Sequence, residues 1–96
     1  MPDVRFSTKA EADIDDIAAF SVDRFGTART RLYLRNLREA CNRLGDFPAM
    51  APFHPRIDPP VRVLSHRSHR ISYRLVDDGV LILRILHQAR DTPTSL

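Results

Sequence analysis

Three of the four histidines and five of the fourteen arginines lie in the last third of the chain, among them Arg70, Arg84, His87 and Arg90. Arginine stays protonated and binds carboxylates or phosphates through paired hydrogen bonds. Histidine accepts or releases a proton near neutral pH. These side chains are suited to metal-free RNA cleavage, which needs a proton acceptor beside a phosphate-binding cation, or to holding an acidic protein segment. The residue types leave both chemistries open.

The sequence gives little indication of a metal site, a catalytic nucleophile or a cofactor site. No carboxylate or thiolate cluster accompanies the histidines His54, His66, His69 and His87. His66 and His69 are three residues apart in or near a strand, so alternation predicts that they lie on opposite faces. His69 and His87 are predicted to face each other across a hairpin, as a hydrogen-bonded pair at the rim of the core. Cys41 belongs to an apolar helix stripe, and no glycine-rich phosphate loop occurs. We therefore expect no metal and no cofactor.

The length, composition and charge of the chain indicate what kind of protein it is. With 96 residues, of which 43% are hydrophobic and 28% charged, residues 1–96 are expected to form one globular domain. The net charge is +3, and Lys9 is the only lysine, a bias toward arginine that suits acidic proteins or nucleic acid. One cysteine, no leader pattern and no apolar run of about 20 residues predict a cytoplasmic protein without a membrane partner.

The N-terminal half is predicted to contain a short strand and two helices. Residues 4–6 are apolar in character, and Thr8–Glu11 has the spacing of a capping box. Gly26 is predicted to end the first helix, Thr27 to cap the second and Gly45 to end it, giving an antiparallel two-helix hairpin. The outer side of the second helix carries arginines in a pattern more typical of a solvated face than of a nucleic-acid site: Arg29, Arg31, Arg35, Arg38 and Arg43.

The C-terminal half is predicted to form a three-stranded antiparallel sheet. Prolines exclude regular structure from residues 47–60, and β-type residues fill 61–67, 70–76 and 80–87. Residues 77–79, Asp-Asp-Gly, suit a three-residue hairpin loop that ends in a left-handed glycine. The predicted fold is therefore α+β: a short N-terminal strand, a two-helix hairpin, and a three-stranded antiparallel sheet packed on the helices.

A three-residue loop fixes the hairpin register and the two faces of the sheet. It places Arg74 opposite Ile82 and Ser72 opposite Arg84. The face against the helices, with Leu83 at its centre, is predicted to contain Ile71, Tyr73, Leu75, Leu81, Leu83 and Ile85. The exposed face is predicted to bind an amphipathic acidic partner segment through Arg70, Arg74, Val80, Ile82, Arg84 and Leu86.

Several segments follow one another in a fixed order along the chain: residues 6–17, the Phe25–Gly26 break, Tyr33 with Leu37, the Phe47–Pro48 exit, and residues 68–74 and 82–88. This ordered set resembles the ParE toxins of the RelE/ParE superfamily, over residues 4–91. This resemblance implies a RelE/ParE-like fold and the toxin of a type II toxin–antitoxin system. It also implies inhibition of DNA gyrase and neutralisation, in a hetero-oligomer, by a ParD-like antitoxin.

Two other functions remain open within the same resemblance: ribosome-dependent mRNA cleavage of the RelE type, and an inactive relic that only binds an antitoxin. Arg70 and Arg84 fall where RNA-cleaving relatives place sheet arginines. The chain departs from those relatives because it has no lysine after Lys9, no glutamate after Glu39 and no tyrosine after Tyr73. Gyrase inhibition by binding, without catalysis, is therefore the favoured prediction. Contact with the target is assigned to Arg70, Arg84, His87 and Arg90, and direct nucleic-acid binding is left open.

Overall fold

The computed structural model describes residues 3–90 and contains one helical element and four strands. The order along the chain is β1 (Asp3–Phe6), α1 (Thr8–Asp46), β2 (Arg62–His66), β3 (His69–Val76), β4 (Gly79–His87) and a 3-10 turn at Gln88–Arg90. The sheet has the strand order β1-β4-β3-β2, with β1 parallel to β4 and the other pairs antiparallel. No helix within residues 3–90 has the length and apolar character that crossing a bilayer requires.

The predicted architecture of a two-helix hairpin on a three-stranded antiparallel sheet is wrong. The structure has one long helical element and a four-stranded mixed sheet, because β1 joins the sheet beside β4, with Val4 opposite Val80. Gly79 permits this pairing, since a Cβ atom there would lie 1.9 Å from the Asp3 carbonyl oxygen. The close contact with Asp3, a residue far away in the sequence, therefore explains why position 79 is a glycine. It does not have the positive φ that was predicted for it.

Helix α1 is bent sharply at Gly26, whose backbone angles (φ 82°, ψ 171°) are not helical. A straight helix of 39 residues would be about 58 Å long. The longest dimension of the molecule is only 37 Å, so the residues before and after Gly26 cannot be collinear. We call residues 8–25 the first segment of α1 and residues 27–46 the second. A positive φ is accessible to glycine at little cost, which explains the residue type at the bend.

Ser7, and not the predicted Thr8, caps the start of α1. Its Oγ accepts a hydrogen bond from the Ala10 N–H at 3.0 Å and donates one to the Leu83 carbonyl at 2.7 Å. The Ser7 N–H also donates to the Ile82 carbonyl at 2.9 Å. One residue therefore both begins the helix and joins it to β4.

The β3–β4 hairpin closes with two residues, because Val76 pairs with Gly79. The loop is one residue shorter than predicted, and a bulge between Ser72 and Tyr73 shifts the register by one residue. Beyond the bulge the predicted pairing of Ser72 with Arg84 is confirmed, whereas between the turn and the bulge the predicted pairing of Arg74 with Ile82 is wrong. On β4, between the turn and the bulge, the predicted faces are exchanged, whereas on β3 Tyr73 is buried and Arg74 is exposed, as predicted. Val80 and Ile82 are fully buried, while Leu75 is 51% exposed and Leu83 is only half-buried.

The core lies between α1 and one face of the sheet. Its members come from both segments of α1 and from β3 and β4, and include Ile14, Ile17, Leu37, Ala40, Leu44, Ile71, Tyr73, Val80, Ile82 and Ile85. Cys41 is buried among them, which raises the pKa of its thiol to about 12 and keeps it protonated. The Tyr73 hydroxyl donates to the Pro48 carbonyl at 2.8 Å, and this bond fastens the proline-rich connector to the core.

Candidate functional site

An open groove of about 1020 Å³ separates the bent α1 from the far ends of β3 and β4. Both segments of α1 line it, together with the β2–β3 turn and the end of β4. Three large apolar side chains of this groove are more than half exposed: Phe20 (57%), Phe25 (55%) and Leu32 (54%). Exposed aromatic and aliphatic residues gathered in a concave surface are typical of a site that binds another protein segment.

Tyr33 and His69 form a hydrogen-bonded pair at one end of the groove. The Tyr33 hydroxyl lies 2.5 Å from His69 Nδ1. Burial raises the pKa of Tyr33, an effect that Arg67 opposes, so the phenol keeps its proton. The pKa of His69 is lowered by burial and by the neighbouring His87 and His66, so its imidazole is neutral near pH 7. The pair is therefore a protonated phenol hydrogen-bonded to a neutral imidazole.

Two further histidines surround this pair. The ring centres of His69 and His87 are 5.5 Å apart in an edge-to-face arrangement, and the His66 ring centre lies 6.1 Å from that of Tyr33. The prediction that His66 and His69 lie on opposite faces is wrong, because the tight turn at Arg67 pairs them directly across β2 and β3. The predicted register of His69 opposite His87 is confirmed.

His66 is the least satisfied member of this group. Its Nε2 is buried without a hydrogen-bond partner among the described residues. Burial lowers the pKa of His66, and the positive charges of Arg67 and Arg43 lower it further. No group of three or more His, Cys, Asp or Glu side chains within residues 3–90 is arranged to hold a metal ion. The histidines can exchange protons or hydrogen-bond a partner.

A second polar constellation, between Asp13 and Arg84, joins α1 to β4. Arg84 Nε donates to Asp13 Oδ2 at 2.9 Å, and a terminal nitrogen of Arg84 donates to Oδ1 at 3.0 Å. The Ile85 N–H donates to the same carboxylate at 2.9 Å. These hydrogen bonds raise the pKa of Arg84, so its charge is held in this pair. Arg84 was predicted to contact the target, but its guanidinium already takes part in a bidentate bond inside the fold.

The sequence analysis did not single out Asp13, although its spacing indicates burial. Asp13 lies three residues after Ala10 and four before Ile17, which places it on the same helix face as both. A single carboxylate among apolar positions at this spacing indicates a buried ion pair. Tyr33 was noted only as part of the family resemblance, and no local pattern links it to His69, which is 36 residues away.

The predicted contact residues are distributed over different environments. His87 is exposed at the groove, where its Nδ1 accepts a hydrogen bond from the Ala89 N–H at 3.1 Å. Arg70 is half-buried in β3 opposite Leu86, and Leu86 lines the groove. Of the remaining predicted antitoxin contacts, Arg74 is exposed. Val80 and Ile82 are fully buried in the core, so their side chains are not accessible to a partner. The Arg90 side chain lies outside the described part of the structure.

Known proteins resemble this chain over nearly its whole length. The family described as "ParE toxin of type II toxin-antitoxin system, parDE" matches residues 4–92. Toxin ParE1 of Mycobacterium tuberculosis (strain ATCC 25618 / H37Rv) is 33% identical over 91 residues, covering 94% of this chain and 93% of that protein. Toxin ParE1 of Caulobacter vibrioides is 31% identical over 96 residues, covering 100% and 99%.

A solved structure, from the chromosomal ParDE TA system of P. aeruginosa, superposes with a TM-score of 0.79 at 24% identity. It covers 91% of this chain and 96% of that chain, and at this identity the likeness concerns the fold. The family match and the curated relatives span nearly the whole chain. The chain therefore belongs to the ParE toxin family of type II toxin–antitoxin systems.

Proposed function

We propose that this toxin acts in the cytoplasm by binding and inhibiting DNA gyrase, and that a ParD-like antitoxin neutralises it by occupying the groove. The observation that carries the proposal is the exposure of Phe20, Phe25 and Leu32 in one concave surface. Such a surface serves binding and needs no chemistry of its own. A gyrase poison that acts by binding requires no catalytic residues, and the ParE family membership favours this mode of action.

The groove defines the character of the antitoxin segment. An amphipathic helix fits best, since its apolar side can cover Phe20 and Phe25 while its acidic side meets Arg29 and Arg67 at the rim. Leu86, from the predicted antitoxin contacts, lies on the sheet side of the same groove. The resulting complex is a hetero-oligomer of toxin and antitoxin.

Co-purification with the protein encoded next to the toxin gene tests whether the groove binds an antitoxin. The double variant Phe20→Ser/Phe25→Ser is expected to weaken the complex roughly tenfold or more, because aromatic anchors dominate binding. Phe47→Ser is the matched control, since Phe47 is 63% exposed but does not line the groove. If the unchanged toxin, the double variant and Phe47→Ser all bound the antitoxin with equal affinity, the antitoxin would bind outside the groove.

The gyrase target is tested by the order of events after induction. Inhibition of gyrase is expected to stop DNA replication and cause filamentation before protein synthesis falls. Co-expression of the antitoxin should prevent both effects. A fall in protein synthesis that comes first would favour mRNA cleavage. An absence of any growth effect, with antitoxin binding intact, would identify an inactive relic.

One observation favours RNA cleavage as a second candidate. The neutral His69, paired with Tyr33 and next to His87, supplies a proton-transfer group beside Arg67, which the sequence alone did not reveal. The engagement of Arg84 with Asp13 weighs against it, since that arginine was one of the two expected to hold the phosphate. Substituting His69→Ala separates the two candidates: it should abolish mRNA cleavage but leave gyrase inhibition within a few-fold of the unchanged toxin.

A further inference from the structure

Three arginines form a straight row on the second segment of α1. Arg31, Arg35 and Arg38 follow at spacings of four and three residues, and all three are exposed. At 100° per residue, this spacing keeps them within one narrow strip of the helix surface. We call them the arginine row.

The arginine row points away from both the core and the groove. The core side of the segment carries Leu37 and Leu44, which are buried. Leu32 and Tyr33 face the groove, to one side of the core direction. Arg35 lies nearly opposite the core side on the helical wheel. The row therefore stays accessible when a partner occupies the groove.

The charge of the row is not neutralised within the described residues. The ion pairs found there join Arg5 to Asp3 and Asp78, and Arg84 to Asp13. Glu39 is the nearest carboxylate in sequence, yet it forms no ion pair with the row in that part of the chain.

We propose that the arginine row binds the phosphate backbone of double-stranded DNA. The row spans about 10.5 Å, from a rise of about 1.5 Å per residue. B-form DNA carries one negative charge per about 1.7 Å of axis, so a straight row of guanidinium groups meets several phosphates at once. This contact goes beyond gyrase inhibition and does not require gyrase.

The composition of the strip favours DNA over other polyanions. An acidic protein or a membrane surface would be met by an apolar centre, whereas the positions of the strip itself, Arg31, Arg35, Arg38 and Asn42, are all polar. B-form DNA has a major groove wide enough to admit an α-helix, whereas the deep, narrow major groove of an RNA duplex does not. The Arg38 guanidinium lies 5.8 Å from the Phe6 ring centre, which favours an ordered position at one end of the row.

Fluorescence anisotropy with a labelled 30-base-pair DNA duplex tests the proposal on the full chain, without gyrase or antitoxin. With three phosphate contacts, affinity should fall about 40-fold between 50 and 200 mM salt, a log–log slope of about −2.7. The triple variant Arg31→Gln/Arg35→Gln/Arg38→Gln should bind at least about tenfold more weakly at 50 mM salt, with a slope near zero.

The control Arg24→Gln/Arg56→Gln/Arg74→Gln removes the same charge from exposed positions outside the row. It should keep the wild-type slope. Equal losses in both triple variants would overturn the proposal, because net charge alone would then explain binding, and so would tighter binding to an RNA duplex of the same length. Should the row variant fail to fold, the single variants decide: each should reduce the slope by about 0.9, and unchanged slopes would contradict the proposal.

Discussion

Two polar constellations connect α1 to the sheet, one at β4 and one at β3, and they differ in how completely their hydrogen bonds are satisfied. The Asp13 carboxylate accepts bonds from two Arg84 nitrogens and from the Ile85 N–H, and both side chains are largely buried. In the histidine group around Tyr33, the Tyr33 hydroxyl is bonded to His69, the buried His66 Nε2 has no hydrogen-bond partner within residues 3–90, and an open groove lies beside the group. The first is complete within the chain, whereas the second has bonding capacity left for a partner.

This difference separates structural from functional residues on a single strand. Arg84 and His87 are three positions apart on β4, and both were predicted to contact the target. A buried, fully paired arginine is costly to release, because its partner carboxylate would be left uncompensated. An exposed histidine at the groove carries no such cost. Substitutions in the two constellations should therefore affect stability and binding in different proportions.

The largest effect is expected from Asp13→Ala. It leaves the Arg84 charge half-buried without its partner and the Ile85 N–H without an acceptor, which should lower the free energy of unfolding by about 3–5 kcal/mol. Urea unfolding measures the loss, with Asp15→Ala, an exposed neighbour on α1, as the control that should change little. Comparable losses for both variants would show that the pair contributes nothing specific.

A second prediction concerns the side of β4 that faces the core. Ile82→Ala removes a fully buried side chain and should cost about 2–5 kcal/mol, whereas Leu83→Ala, half-buried at the bulge, should cost distinctly less. Thermal unfolding of the two variants provides the comparison. If Leu83→Ala is the more destabilising substitution, the hairpin has the three-residue loop and the opposite faces.

Tyr33→Phe should have a smaller effect on stability. It deletes one hydrogen bond, to His69, and should lower the free energy of unfolding by about 0.5–1.5 kcal/mol. Antitoxin affinity, measured in parallel, should change more than stability does, because the hydroxyl lies at the groove. A loss as large as that of Asp13→Ala would remove the distinction between the two constellations.

The smallest effect is a pH dependence of stability. Burial lowers the pKa of His69 below its ordinary value of about 6.5, so the unfolded chain takes up a proton at a higher pH than the folded chain. Stability should therefore fall as the pH drops below about 6.5, and His69→Gln should flatten this decline. His66 shifts in the same direction, so some slope should remain. An unchanged slope in the variant would exclude His69 as a source.

Local patterns predicted the positions of the strands and the helical region, but not the contacts between distant residues. The Asp-Asp-Gly turn was consistent with two or three loop residues, and the choice depends on β1, because Asp3 packs directly on Gly79. No pattern within residues 77–79 reports that approach. The parallel pairing of β1 and the Tyr33–His69 bond likewise join residues too far apart for spacing rules. Asp13 was different, since its position on the apolar helix face was readable from the sequence.

The most direct test of the proposed function is DNA supercoiling by purified gyrase in the presence of purified toxin. We predict inhibition that increases with toxin concentration, is reversed by the antitoxin and occurs without cleavage of ribosome-bound mRNA. The Asp15→Ala variant should inhibit like the unchanged toxin, which controls for handling of the protein. Cleavage of ribosome-bound mRNA by the purified toxin, with supercoiling unaffected at the same concentration, would contradict the account.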